Sequence, residues 1–218
     1  MSVITIERKV LERNDQVAGR NRELFREKGI FVLNFVSSPG AGKTSILEKT
    51  FQELGGSMGV AVIEGDVQTD LDAQRVARYG VPVIQIVTLG GCHLDASLVQ
   101  DALANLDLSK VELLFIENVG NLVCPANYDL GEELKVVILS TTEGDDKPLK
   151  YPAMFLNSTV LIINKTDLVP YVKCDLSVLK GNALRINPAL KVFEISCFTG
   201  DGIPEWCSWL KRKGAPEP

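Results

Sequence analysis

The sequence predicts an α/β domain, a mostly parallel sheet flanked by helices, with an N-terminal helical extension. Three observations predict it. Short β-branched apolar runs alternate with segments of helical periodicity, the order that βαβ units produce. Several of those runs are apolar throughout instead of alternating with polar residues, as strands covered on both faces are. No internal repeat and no linker rich in Pro, Gly or Ser divides the chain, and 218 residues suffice to bury one core.

Residues 4–28 are charged and carry Val10, Leu11, Val17, Leu24 and Phe25 at helical spacing. They predict an amphipathic helix outside the main fold, ended by Gly29. Residues 1–29 therefore read as the extension and 30–218 as the domain proper. The strand candidates follow in order: IFVLNFV over 30–36, VAVIEG over 60–65, VPVIQIV over 81–87 and VELLFIE over 111–117. VVILS over 136–140, TVLIIN over 159–164 and KVFEIS over 191–196 complete them, and the closing KRKGAPEP reads as a frayed tail. In a parallel sheet ligands sit at the carboxyl ends of the strands, so chemistry belongs just after each run.

Composition excludes several classes. The chain is 45% hydrophobic and 23% charged, with a net charge of −5, and no Lys/Arg cluster is dense enough for a nucleic-acid face. The N-terminus turns charged at once, without the apolar core of a signal peptide. No apolar run approaches the roughly 20 residues that span a bilayer. Five cysteines, an odd number, argue for reduced thiols rather than a disulfide framework. A cytoplasmic protein is expected, with neither nucleic acid nor membrane as a partner.

The first strand end carries SSPGAGKT, residues 37–44. It matches the phosphate-binding loop G-x-x-x-x-G-K-S/T at Gly42, Lys43 and Thr44, with Ser37 in place of the first glycine. The backbone of Gly40, Ala41 and Gly42 turns N–H groups inward around a phosphate, and Ser45 continues into the helix. Lys43 then reaches the β- and γ-phosphates, a catalytic role, and the Thr44 hydroxyl ligates Mg²⁺. A plain Gly-rich turn with a surface lysine is the alternative. The strand before and the helical TSILEKTFQEL after favour the phosphate.

After TVLII comes NKTD, residues 164–167. Asp167 can accept from guanine N1–H and the 2-amino group together, a donor pair that adenine lacks. Asn164 can hydrogen-bond the base edge and pin the loop, and the Lys165 stem can lie against the ring. SCFTGDG, residues 196–202, follows the last strand, where Ser196 and the backbone at Cys197 would present an N–H to the guanine oxygen. GTP, not ATP, is the expected nucleotide.

Two acidic strand ends remain. Asp66 follows VAVIEG and Glu117 ends VELLFIE, each placed to hold Mg²⁺ or to orient an attacking water. Asp70 and Asp72 read instead as a capped helix start. With no further base and no arginine finger evident near the loop, a slow Mg²⁺-dependent GTPase that switches states is expected.

GGCHLDA, residues 90–96, holds the only histidine, His93, beside Cys92. Alone, the pair admits a metal site, a redox-active thiol or two packed residues. The helical pattern of HLDASLVQDALANL places Cys92 at a helix N-terminus, which favours its thiolate. Cys174, Cys197 and Cys207 read as small buried hydrophobes.

Behind the phosphate loop, GDVQTDLDAQR, GCHLDA, ENVGNLVCP, STTEGDDKPLKYPAMF and NKTDL occur in that order. From residue 30 onward the chain resembles the HypB family of hydrogenase nickel-incorporation GTPases. The resemblance implies a SIMIBI-class G domain, a GTP-dependent homodimer, and nickel delivery to the hydrogenase large subunit, with a maturation accessory protein as a further partner. It also implies a metal site of Cys92, His93 and Cys124, whose donors suit Ni²⁺ and Zn²⁺ equally. Adjacent residues point their side chains apart, so Cys92 and His93 are expected to need a two-fold interface at which two chains contribute. Lys147 either reaches toward the partner's nucleotide or is an ordinary surface lysine.

Two departures stand out. The first cysteine is Cys92, so the Cys- or His-rich N-terminal segment of some members is lacking and nickel storage is not expected. Leu89 stands where members usually carry glycine. Three other readings compete: a urease-type nickel-delivery GTPase, whose Cys-Pro-His triplet does not occur here; a P-loop small-molecule kinase, against which NKTD speaks; and a zinc-stabilised interaction module without turnover.

Overall fold

The structure, a computed structural model, describes residues 6–214, with side chains from Lys9 onward. Seven strands form one sheet: β1 (Phe31–Ser37), β2 (Val60–Asp66), β3 (Val83–Val87), β4 (Leu113–Glu117), β5 (Leu134–Ser140), β6 (Val160–Asn164) and β7 (Lys191–Glu194). Their order is β3-β2-β4-β1-β5-β6-β7, and every pairing is parallel. All seven expected runs are strands, with ends shifted by one or two residues. The third starts at Val83 because Pro82 has no N–H for the ladder; its carbonyl alone takes part, accepting from Val62 N at 2.9 Å.

The helices are α1 (Ile6–Lys28), α2 (Lys43–Leu54), α3 (Leu71–Ala77), α4 (Ala96–Leu103), the short α5 (Lys147–Lys150) and α6 (Pro152–Leu156), α7 (Leu176–Ile186) and α8 (Ile203–Gly214). They cover both faces, which is why the strands are apolar on both. Leu33 and Phe35 of β1 pack with Ile46 and Leu47 of α2 and Trp206 and Leu210 of α8. On the opposite face Val32 joins Phe25 of α1 and Val99 of α4, and Val36 joins Met154 of α6 and Leu179 of α7. Each fully buried aliphatic or Phe side chain contributes roughly 1.5–3 kcal/mol relative to exposure. Trp206 is fully buried and still pairs its indole Nε1–H with Thr50 Oγ1 at 3.0 Å.

The helix expected outside the main fold packs on it. Val17, Ala18 and Phe25 of α1 are buried, as are the polar Asn14 and Asn21. The apolar spacing predicted the helix; the two asparagines, invisible to that spacing, dock it. Residues 4 and 5, the first two of the expected helix, and 215–218, the end of the expected frayed tail, lie outside the described residues.

With β1 central and β4 and β5 on either side of it, the end of β1 is the topological switch point where parallel sheets bind ligands. The phosphate loop follows there.

Candidate nucleotide and metal sites

The loop after β1 turns through left-handed residues at Gly40 and Gly42, and α2 begins at Lys43. Lys43 Nζ donates to Ser37 Oγ at 3.1 Å, while Ser37 donates to Ser38 O at 2.7 Å. The serine replacing the loop's first glycine is thus a buried resting partner for the lysine. Arg75 Nη2 reaches Ser45 Oγ at 3.3 Å, tying α3 to the start of α2.

Beside it opens a cavity of about 470 Å³, lined by Gly42, Ser45, Lys49, Asn164, Lys165, Asp167, Cys197 and Phe198, among others. Asn164 is buried and pins the phosphate loop, donating to Ala41 O at 2.9 Å and accepting from Lys165 N at 2.8 Å. Of its two expected roles the structure displays the pin. Lys165 crosses the loop and donates through Nζ to Gly40 O at 2.8 Å. Ser196 Oγ donates to Asp167 Oδ1 at 2.5 Å and accepts from Phe198 N and Thr199 N, so the loop after β7 orients the carboxylate. The two motifs therefore meet in one pocket. Cys197 is half-buried on its wall, with its thiol pushed up to about 11 by burial, whereas Cys174 and Cys207 are buried.

The acidic cluster differs from expectation. Thr44 Oγ1 donates to Glu117 Oε1 at 2.9 Å, and Lys43 Nζ lies 3.9 Å from the same oxygen. The second carboxylate there is Glu64, paired with Glu117 across the β2–β4 ladder, and Asp72 is the third; their oxygens lie within 4.8 Å of one another. Burial, then the charge of Glu117, pushes Glu64 up to about 12, and burial also raises Glu117 against the pull of Lys43. Among the described residues no other donor reaches Glu64 Oε2 or Glu117 Oε2, so the two buried carboxyls satisfy one another only through the proton that Glu64 retains, and a divalent cation fits the acidic pocket in that proton's place.

Asp66 is not in this group. Its carboxylate accepts from Gln68 N at 3.1 Å and Thr69 Oγ1 at 3.0 Å; burial raises its pKa, but these bonds outweigh it and hold it low. Asp66, one pleat beyond the buried face, starts a turn, while Asp72, read as a helix start, joins the cluster and pairs with Arg75 at 2.9 Å. Glu64 was legible as an anomaly: a carboxylate inside an apolar strand.

Cys92 Sγ lies 3.4 Å from His93 Nδ1, and the donors of Cys92, His93 and Cys124 all fall within 4.8 Å of one another. A tetrahedral ion with bonds of about 2.0–2.3 Å needs donors roughly 3.3–3.8 Å apart, a spacing that Cys92 and His93 already hold and that Cys124 comes near, so the three are a candidate set for one ion. This corrects two expectations. The loop after Gly91 is not extended, so the adjacent side chains converge within one chain. Nor does Cys92 sit at a helix N-terminus: α4 starts at Ala96, capped by Asp95, whose carboxylate accepts from Leu98 N at 2.9 Å. A hydrogen bond with Cys124, then burial, raises the Cys92 thiol. Burial lowers the pKa of His93 against the pull of Asp95, and its ring packs on Tyr128 at 4.0 Å between centroids. Leu89, where a glycine was expected, adopts a left-handed φ of 50° while 87% exposed. Lys147 pairs within its own chain, 3.6 Å from Glu143 and 5.5 Å from the Tyr151 ring.

The sites are joined. Gly120 lies against the phosphate loop, where an added Cβ would stand 3.0 Å from Pro39 Cγ and 3.1 Å from its Cα. Asn121 Nδ2 donates to Cys92 O at 3.3 Å and Oδ1 accepts from Val123 N at 2.8 Å, just before Cys124.

Residues 31–194 match the family model "CobW/HypB/UreG, nucleotide-binding domain". A hydrogenase maturation factor HypB of Azotobacter vinelandii is 52% identical over 97% of this chain and 70% of its own length. The crystal structure of HypB from Helicobacter pylori in complex with nickel is similar at a TM-score of 0.89 and 38% identity, over 94% of this chain and 99% of that one. The hydrogenase maturation factor HypB of Archaeoglobus fulgidus matches at a TM-score of 0.88 and 38% identity, over 94% and 100% respectively. With a seven-stranded parallel sheet of SIMIBI-like P-loop architecture and these relatives spanning nearly its whole length, the chain belongs to the CobW/HypB/UreG family, among the HypB hydrogenase maturation factors.

Proposed function

We propose that this chain is a slow, Mg²⁺-dependent GTPase that carries Ni²⁺ or Zn²⁺ and assists nickel insertion into nickel–iron hydrogenase in the cytoplasm. One observation carries the reading: the segment 117–124 touches the phosphate loop at one end and supplies a metal donor at the other. Residues 30–218 are the G domain in this reading and 1–29 its helical extension. Asp167 reads guanine in a pocket shaped by Asn164, Lys165, Ser196 and Cys197, while Gly40, Ala41, Gly42, Lys43, Thr44 and Ser45 take the phosphates.

Thr44, Glu117, Glu64 and Asp72 would hold the magnesium ion, with Asp66 at the outer end of β2 as the residue that orders the attacking water. Magnesium, when bound, neutralises charge on the phosphate oxygens. Lys43 exchanges Ser37 for the phosphates. Cys92, His93 and Cys124 receive the transported ion as cargo. Three protein donors leave a tetrahedral ion one position short, which supports a GTP-dependent homodimer, or a handover partner, as the source of the fourth. The hydrogenase large subunit and a maturation accessory protein are the partners of this reading.

Titration calorimetry with GTP and ATP tests the nucleotide. The native chain prefers GTP, and Asp167→Ala, which removes two charge-assisted hydrogen bonds, weakens GTP by about a hundredfold or more while sparing ATP. ATP bound as tightly as GTP would return the chain to the small-molecule kinase reading. Light scattering with a non-hydrolysable GTP analogue and Ni²⁺ should give a dimer; a monomer under every condition removes the shared site.

A further inference from the structure

We infer that α1 is a positioning element of the metal site: Asn14 and Asn21 clamp together the two chain segments that carry its donors. The inference rests on the reading that Cys92, His93 and Cys124 bind metal. One segment runs from Cys92 and His93 into the first residue of α4, Ala96. The other runs from Cys124 through Tyr128, which packs on His93, to Gly131.

Asn14 bridges them directly, accepting from Ala96 N at 2.9 Å and donating to Asp129 O at 2.7 Å. Asn21 repeats the bridge, donating to Ala96 O at 2.9 Å and to Leu130 O at 3.0 Å. Both asparagines are buried, at 6% and 1% exposure, and Arg22 adds a two-pronged contact to the Asp129 carboxylate at 2.6 and 2.7 Å. The approach is close. Gly131 has φ 94°, and a Cβ there would stand 2.8 Å from Ala18 O and from Asn21 Cβ, so only glycine lets this loop lie flat on α1. Val17, Ala18 and Ala96 close the joint with a small apolar cluster.

Neither segment has a regular element of its own between its donor and the clamp, apart from the single 3₁₀ turn at Cys124–Asn127. The separation of the donors therefore depends on what α1 holds at the far ends, together with the Asn121 contact to Cys92 O and the packing of His93 on Tyr128 between them. Residues that orient metal ligands typically influence affinity by about 10–100-fold.

The test uses the full chain, with Ni²⁺ added to a competing chelator and the thiolate-to-nickel charge-transfer band recorded. Asn14→Asp keeps the acceptor for Ala96 N but loses the donor to Asp129 O, and Asn14→Ala loses both. Both variants are expected to weaken Ni²⁺ by about tenfold or more and to shift the band, with helicity and guanine-nucleotide affinity retained. If Asn14→Ala loses its fold, Asn14→Asp decides. Native affinity and an unchanged band in Asn14→Asp would overturn the inference. Cys92→Ala with Cys124→Ala is the control: unchanged Ni²⁺ affinity there overturns the metal reading itself, and the inference with it.

Discussion

Glu64 and Glu117 face one another across two central strands, and two like charges cannot both persist there. In the folded chain Glu64 is pushed up to about 12 by burial and by Glu117, against an ordinary 4.5. Between those values the native state keeps a proton that the unfolded chain has released. This contribution to stability is therefore fully present below pH 4.5 and is lost as pH rises toward the folded value. Glu64→Gln keeps the shape and removes that loss. Urea denaturation of the nucleotide-free variant should show a stability gain over native at pH 8 that shrinks at pH 6, together with weaker Mg²⁺-dependent nucleotide binding. An equal change at both pH values would mean that Glu64 is already ionised in the folded chain.

The 3₁₀ turn that starts at Cys124 ends in carbonyls that need partners. Lys135 supplies them from β5, its Nζ donating to Pro125 O at 3.1 Å, Ala126 O at 3.2 Å and Tyr128 O at 2.9 Å. Burial lowers the lysine's pKa and Glu132, 3.8 Å away, raises it; both side chains are under a tenth exposed. Lys135→Met leaves Glu132 buried without its cation, held only by Asn34 Nδ2 at 3.1 Å and Leu130 N at 2.7 Å, and should cost about 3–5 kcal/mol in urea denaturation. Adding Glu132→Gln should recover part of that cost; losses that simply add would rule out the pairing. Such polar supports explain what the sequence could and could not convey. The strands were legible because burial on both faces leaves long apolar runs, and the two nucleotide motifs because their spacing is local. Asn14, Asn21 and Lys135 act across distant segments and leave no periodic trace, so the docking of α1 was not legible. The convergence of Cys92 and His93 was also hidden, since it depends on a loop turn that neighbouring residue types do not specify.

At the scale of the whole molecule, the phosphate loop and the proposed metal donors belong to one contiguous set of contacts. Thr44 meets Glu117, Gly120 rests on Pro39, and Asn121 holds the carbonyl of Cys92. These contacts follow one another along the chain, and the absence of a side chain at Gly120 is what lets it lie this near Pro39. If that contact transmits, a GTP analogue changes Ni²⁺ affinity by some factor, and linkage requires Ni²⁺ to change nucleotide affinity by the same factor. Couplings of this kind usually amount to about 5–150-fold. Gly120→Ala inserts a methyl 3.0 Å from Pro39 and separates the two loops, while its position outside the buried strands spares the sheet. Calorimetry of each ligand with and without the other, on native and variant chains, gives both factors. The native factor should exceed about fivefold and agree in the two directions, and the variant's should fall toward one while Ni²⁺ alone still binds. A variant that keeps the native factor would show that nucleotide and metal communicate by another route, through the α1 clamp or between subunits, and not across Gly120.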